Sequence, residues 1–337
     1  MLILNIFDIL KKHSDVEHRL SVKEIGERLE DEYSQKVDRK AIKRNLMNLL
    51  EFGYDIEYSE TIRINKWGEE ESIYSDWYLN QEFTDAELRM LIDGLLFSKH
   101  IPYKQCKGLV EKLEGLSNNY FKAKVKHVRN MPENQPENKE LFYTIEILDE
   151  AISKRKKVTF QYNDYGIDKK RHPRTDKDGT VKKYKVSPYQ MAATNGRYYL
   201  ICNSDTYLDS SNFRIDRISN IQITGEPVKP MKEVTDLKEG LNLPKIMAEH
   251  IYMFTGKSVR VKFKASKSIV GDILDWFGQD VKFAEEAESQ VMVTVNVDKQ
   301  AMFFWALQYG QYVEVVSPVD LREWIGKTVQ EMAKKYE

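Results

Sequence analysis

The sequence predicts a multidomain α+β chain. Its parts are a three-helix head with a β-hairpin, a helical connector, a small antiparallel β-barrel and a C-terminal βαββαβ unit. Three observations carry that reading. The length of 337 residues suits two or three domains. Hydrophobic residues at 41% and charged residues at 31% describe a core-forming composition, neither disordered nor fibrous. The hydrophobic period changes along the chain, from helical spacing to alternation, back to helix, and then to short strands.

Ile3, Ile6, Phe7 and Leu10 recur at helical spacing over residues 2–12. Ser21 and Glu24 form an S-x-x-E capping box with Leu20 at the staple position, and Val22, Ile25 and Leu29 follow as one stripe. A third helix begins at Asp38, a good N-cap, and ends near Gly53. Its apolar side holds Ile42, Leu46, Leu49 and Leu50, and its other side Arg39, Lys40, Lys43 and Met47, with Arg44 and Asn48 flanking. Two β-like runs come next. Ile56, Tyr58, Ile62 and Ile64 mark one, Ile73, Trp77 and Leu79 the other, and Trp67-Gly68-Glu69-Glu70 turns between them. Three short helices and a hairpin, the last helix basic outside, make the pattern of a winged helix-turn-helix. The third helix would enter the major groove and the hairpin would lie along the backbone.

Residues 83–127 return to helix, opening on a Thr84–Glu87 capping box. The polar stretch Met131 to Asn138, with Pro132 and Pro136, reads as a linker. Phe142, Ile145, Leu148 and Ile152 then mark a helix. Strand-like runs follow at 158–162, 184–190, 197–202, 213–218 and 221–224, with Thr194-Asn195-Gly196 as a turn, which argues a small antiparallel barrel. Pro227 and Pro230 close this unit, and a linker-like region runs to about 256. The last 80 or so residues alternate strand and helix as βαββαβ, a ferredoxin-like signature, and end with one extra helix at 319–336.

The formal charge is −1, yet it is segregated. Residues 34–50 carry net +4 and residues 154–185 net +8, which leaves −13 for the rest. A basic coat over the whole surface is excluded, while two places for polyanions are suggested. Solvated charge on exposed faces is the competing reading of any single basic run. Cys106 and Cys202 are the only cysteines, so a disulfide scaffold and a Cys-rich zinc site are excluded; both read as core thiols. The six histidines form no cluster, and His13 and His18 are five apart and share no helix face. The Asp176-Lys177-Asp178-Gly179 stretch lacks the spacing of a calcium loop and reads as a turn. Phosphate-cradling and nucleophile-elbow motifs are absent, so no catalytic residue, metal or cofactor is expected. No apolar run approaches a membrane span, and the opening segment lacks the features of a signal peptide, so the expected compartment is the cytoplasm.

The segments Tyr184-Lys185-Val186-Ser187-Pro188-Tyr189, Gly196-Arg197-Tyr198-Tyr199-Leu200 and Phe213-Arg214-Ile215-Asp216-Arg217-Ile218 resemble the WYL domain, with Tyr198 in its Trp position. The N-terminus resembles the DeoR-type winged helix-turn-helix that usually accompanies it, and the end of the chain resembles the WCX extension. The resemblance implies an Sm-like or SH3-like barrel at 141–230. It also implies a DNA-binding domain at 1–80, a helical connector at 81–131, linkers at 132–140 and 231–256, and a WCX-like domain at 257–337. Family members of this architecture are bacterial transcription regulators, usually homodimers. Several resemble sensors of nucleic-acid fragments or nucleotides, in DNA-damage responses or phage-defence operons.

From residue chemistry and resemblance together, Arg39, Lys40, Lys43, Arg44 and Asn48 are expected to contact duplex DNA. Arg214 and Arg217 offer planar forks for phosphate, Tyr162, Tyr189 and Tyr199 offer stacking faces, and Arg171 and Ser187 complete the expected ligand groove. Arg214 and Arg217 have opposite strand parity, so a regular strand would point them to opposite faces unless a bulge intervenes. The expectation is a ligand-responsive, sequence-specific regulator binding an operator as a dimer. The alternative is an RNA- or single-strand-binding accessory protein without operator specificity.

Overall fold

The structure is a computed structural model that describes residues 1–98, 101–124, 140–285 and 287–337. It is a mixed α/β chain that divides into two units, Met1–Glu137 and Asn138–Glu337. The stretch 131–138, read above as a linker, lies outside the described residues.

The first unit begins with α1 (Leu2–His13), α2 (Val22–Tyr33) and α3 (Arg39–Glu51). The Ser21–Glu24 box is closed in both directions at the start of α2. Asp38 accepts from the backbone N–H groups of Lys40 and Ala41 at the start of α3. Gly53, at φ 91°, turns the chain out of α3 in the left-handed region that a side chain resists. Strands β1 (Ile56–Ile64) and β2 (Glu70–Leu79) form the antiparallel hairpin. Leu20 exchanges backbone hydrogen bonds with Trp77, so the start of α2 is stitched to the hairpin root. Ile6, Leu10, Ile25, Leu29, Ile42, Leu46 and Trp77 make one core under these elements.

Helices α4 (Asp85–Phe97), α5 (Tyr103–Glu114) and α6 (Asn119–Lys124) follow. The Thr84–Glu87 box closes as expected. Leu88, Ile92 and Phe121 form a small second core. Asn118, 3% exposed, ties this part to the head. Its amide donates to the Ser14 carbonyl at 3.3 Å and to Asp15 at 2.7 Å, and its oxygen accepts from the N–H groups of Tyr120 and Phe121.

The second unit begins with α7 (Leu141–Ser153), which buries Leu141, Thr144, Leu148 and Ala151. The stripe is rotated from the expected one. Phe142, Ile145 and Ile152 flank it half-buried, because the apolar arc is wider than the contact. A six-stranded antiparallel sheet follows, built from β3 (Lys156–Tyr165), β4 (Arg171–Pro173), β5 (Lys183–Thr194), β6 (Arg197–Asn203), β7 (Ser211–Arg214) and β8 (Ile218–Pro227). Their order is β4-β3-β5-β6-β7, with β8 on the other side of β3. Asn195 and Gly196, both at positive φ, make the two-residue turn between β5 and β6. The run 213–218 is not one strand: Ile215–Arg217 is a single 3₁₀ turn between β7 and β8.

The region 231–256 is not a bare linker. It forms two 3₁₀ turns and helix α8 (Leu243–Glu249). Val234 and Leu237 pack on Tyr189, while Met253, Leu241, Leu243 and Ile246 pack on Ala192, Tyr199 and Ile201. Single apolar residues among polar ones left no periodic signal for this.

The C-terminal part runs β9 (Ser258–Ser266), α9 (Val270–Phe277), β10 (Lys282–Glu285), β11 (Gln290–Asp298), α10 (Lys299–Gln308), β12 (Val313–Ser317) and α11 (Val319–Ala333). The antiparallel sheet has the order β10-β11-β9-β12. Val261, Phe263, Ile273, Phe277, Val293, Met302 and Trp305 form its core.

Asn118→Ala removes four hydrogen bonds at a buried position and leaves backbone groups unpaired. It is expected to lower the stability of the first unit by about 2–4 kcal/mol in urea denaturation. A loss below about 0.5 kcal/mol would show that the clip contributes little.

Candidate nucleic-acid interfaces

Helix α3 separates its two functions by face. Ile42, Leu46 and Leu49 are buried, while Arg39, Lys40 and Arg44 are exposed and Lys43 and Asn48 are half-buried. Among the described residues, none of Arg39, Lys40, Lys43 and Arg44 enters an ion pair. Asn45 donates back to the Ala41 carbonyl at 2.7 Å, so its amide nitrogen serves the helix itself. Four unpaired cations on an anchored helix suit a polyanion. Arg39, Lys40 and Lys43 border a cleft of about 320 Å³ with Ile73, Tyr74 and Ser75 of the middle of the hairpin.

The hairpin tip carries mixed charge. Glu69, Glu70 and Glu71 are exposed there against Arg63 and Lys66. Ile62, Ile64 and Trp67 are exposed beside them. The small acidic excess at the tip works against a polyanion, whereas the cations of α3 work for one.

In the second unit the 3₁₀ turn at Ile215–Arg217 resolves the parity problem. It breaks the two-residue period, so Arg214 and Arg217 no longer alternate as residues of one strand. Arg214 grips Asp216 with Nε at 3.1 Å and Nη2 at 2.6 Å, and its backbone N–H donates to the Tyr162 hydroxyl. Arg171, on β4, donates to the Asp216 carbonyl at 3.3 Å. Arg217 reaches Asp164 at 3.2 Å and lies over the Tyr165 ring. Arg174 was not among the expected residues. It grips Asp164 with Nε at 2.7 Å and Nη2 at 3.1 Å and lies over the Tyr162 ring.

The Arg174 hydrogen bonds hold the Asp164 carboxyl below its ordinary value, against a smaller opposing effect of burial, so it is ionised at neutral pH. The basic spacing of Arg171 and Arg174 around Pro173 was the one sequence signal for this second arginine. Asp164 gave none, since an isolated acid in a basic run looks like charge balance; Asp216 reads in sequence as an ion-pair partner of Arg217, and the structure pairs it with Arg214.

The structure brings Arg171, Arg214, Arg217 and Tyr199 together. The other three expected ligand residues serve the fold. Tyr162 is 6% exposed and packs edge-on against Phe213 and Tyr184. Ser187 is fully buried and accepts from the Lys229 N–H. Tyr189 is buried under Val234 and Leu237, and its hydroxyl donates to the Lys229 carbonyl at 2.8 Å. Burial pushes its phenol up to about 12. A ligand reaches neither Ser187 nor Tyr189 while the segment after β8 stays in place. Cys106 and Cys202 are both buried, and burial raises both thiols. Among the described residues, no group of three or more His, Cys, Asp or Glu side chains could hold a metal ion, and no helix is long and apolar enough to cross a membrane.

Comparisons with known proteins place two domains on this chain. The WYL domain model matches residues 143–223 and the WCX domain model matches residues 257–333. YobV of Bacillus subtilis (strain 168), described as an HTH-type transcriptional regulator, is 21% identical over 164 residues, 48% of this chain and 50% of that protein. Among solved structures, proteasome accessory factor B/C (PafBC) of Arthrobacter aurescens is similar with a TM-score of 0.30 and 15% identity, over 99% of this chain and 48% of that one. A crystal structure of a CRISPR Cas-related protein has a TM-score of 0.37 and 16% identity, over 99% of this chain and 85% of that one. The chain therefore spans about half the length of YobV and of the PafBC chain that it matches.

Tyr189→Phe separates strut from ligand contact. It is expected to cost about 1–2 kcal/mol of stability by leaving the Lys229 carbonyl unpaired, and to leave binding of a short phosphorylated oligonucleotide unchanged in fluorescence anisotropy. Weakened binding at unchanged stability would return Tyr189 to the site.

Proposed function

We propose that this chain, which carries a WYL domain followed by a WCX domain, is a ligand-responsive DNA-binding transcription regulator. The observation that carries the proposal is the exposed face of α3, with Arg39, Lys40, Lys43 and Arg44 unpaired above a core that fixes the helix. We read α1–α3 with the β1–β2 hairpin as a winged helix-turn-helix. The barrel is read as Sm-like or SH3-like and the C-terminal unit as ferredoxin-like. In this reading α3 enters the major groove, and Arg39, Lys40, Lys43, Arg44 and Asn48 meet the duplex, the cations bringing the phosphate contacts that fix the helix in the groove. Two heads in a homodimer read the half-sites of a pseudo-palindrome.

The arginine cluster of the barrel is the effector site. Arg171, Arg174, Arg214 and Arg217 supply phosphate donors, and half-buried Tyr199 supplies a stacking face at its rim. The effector is phosphate-bearing, a nucleotide or a short single strand. By linkage, an effector that weakens operator binding binds less well to the operator complex, by the same factor.

The test is fluorescence anisotropy with a duplex taken from immediately upstream of the gene, at about 150 mM salt, where non-specific binding is largely screened. Tight binding that an unrelated duplex does not compete away is expected. Arg44→Ala should weaken it and lower the slope of log affinity against log salt by about one. Arg214→Ala and Arg217→Ala should leave operator affinity unchanged and blunt its response to a phosphorylated oligonucleotide. Equal, weak binding to both duplexes with tight binding to single strands would favour the accessory-protein reading.

A further inference from the structure

The arginine site is already filled, from within. Each of its two carboxylates is gripped by guanidinium N–H groups in the fork geometry that arginine also offers to phosphate. The two carboxylates differ in what else they do. Asp216 is 6% exposed, sits in the 3₁₀ turn and is bound to Arg214 two residues away, so it belongs to the local fold. Asp164 has a side chain that is 50% exposed. Backbone pairing of β3 with β4 holds its position, with Asp164 opposite His172. Ion pairs of such exposed groups contribute little to stability.

Asp164 also serves its partners incompletely. It is shared between Arg174 and Arg217, and it meets Arg217 through one nitrogen only. Arg217 Nε is shut off from water and has no acceptor among the described residues. A buried donor without a partner is costly, and it marks a place for an acceptor that the chain does not supply. Behind these groups the guanidinium planes are already oriented, Arg174 over Tyr162 and Arg217 over Tyr165.

We propose that Asp164 is an internal competitor for the site's anionic ligand, occupying the place between Arg174 and Arg217 that a phosphate group must take. The inference rests on the effector reading given above and deepens it. A tethered carboxylate at 2.7 Å acts at high effective concentration, so a monovalent anion with a single contact does not displace it. A phosphate with several oxygens does, because it can satisfy Arg174, Arg217 and the spare Nε donor together. Asp164 is thus a specificity-determining residue, which sets the least charge and the fewest acceptors that an effector must bring.

The experiment measures anisotropy of a 5′-phosphorylated thymidine tetranucleotide, labelled with fluorescein at its 3′ end, on the full chain. Asp164→Asn keeps the shape and removes the charge, and it is expected to bind the probe about three- to tenfold more tightly than the unaltered protein. Asp178→Asn is the control. It removes the same charge from the same basic segment, at a carboxylate that bonds Thr180, and is expected to stay within about twofold. Equal affinity of Asp164→Asn and the unaltered protein overturns the competitor while leaving the effector site standing. An equal gain in Asp178→Asn also overturns it, since the effect is then general electrostatics. Binding by none of the three overturns the effector reading and the competitor with it.

Discussion

Strand β3 is bonded on both sides from Val158 to Gln161, and the six-stranded sheet of the second unit is organised by that double pairing. Val158 to Gln161 face β5 on one side, Val158 to Tyr162 face β8 on the other, and Asn163 to Tyr165 pair with β4. A strand held this way cannot slip by one residue without turning its core side outward. Val158, Phe160 and Tyr162 are therefore the buried side of the strand. Where the partners change to β4, Asp164 and Tyr165 emerge at the arginines. The 3₁₀ turn before β8 is the same constraint met from the other end. β7 pairs with β6 and β8 with β3, so the chain must change neighbours within three residues. That corner is where Arg214, Asp216 and Arg217 stand.

The two basic regions solve the problem of bare positive charge differently. Helix α3 leaves its cations to water, with Arg39, Lys40 and Arg44 exposed. The barrel's arginines lie against aromatic rings and are partly buried, where an unpaired charge is expensive, so they carry carboxylates. The first surface is open to an anion at any time. The second admits one only by exchange.

Local chemistry made much of this legible in the sequence. The caps at Ser21, Asp38 and Thr84, the Asn195-Gly196 turn and the two faces of α3 each depend on residues within four positions of one another. Contacts between distant residues were not legible. Asn118 reaches Ser14 and Asp15 across more than a hundred positions. Ser187 and Tyr189 looked accessible because nothing in their own strand shows that residues 229–237 cover them. The 3₁₀ turn hid inside an apparently regular Phe-Arg-Ile-Asp-Arg-Ile run, whose alternation fitted a strand just as well. Asp164 and Arg174 were missed because their importance lies in meeting each other from different strands.

Helix α3 also starts with the wrong charges for its own stability. Arg39 and Lys40 occupy the first turn, where the unpaired N–H groups and the helix dipole favour acids, and Asp38 is the lone acidic cap. A phosphate arriving there supplies the missing negative charge. The simplest stabilising change there, an acid at 39 or 40, would strengthen the helix start and at the same time erase the exposed positive charge that sets this face apart.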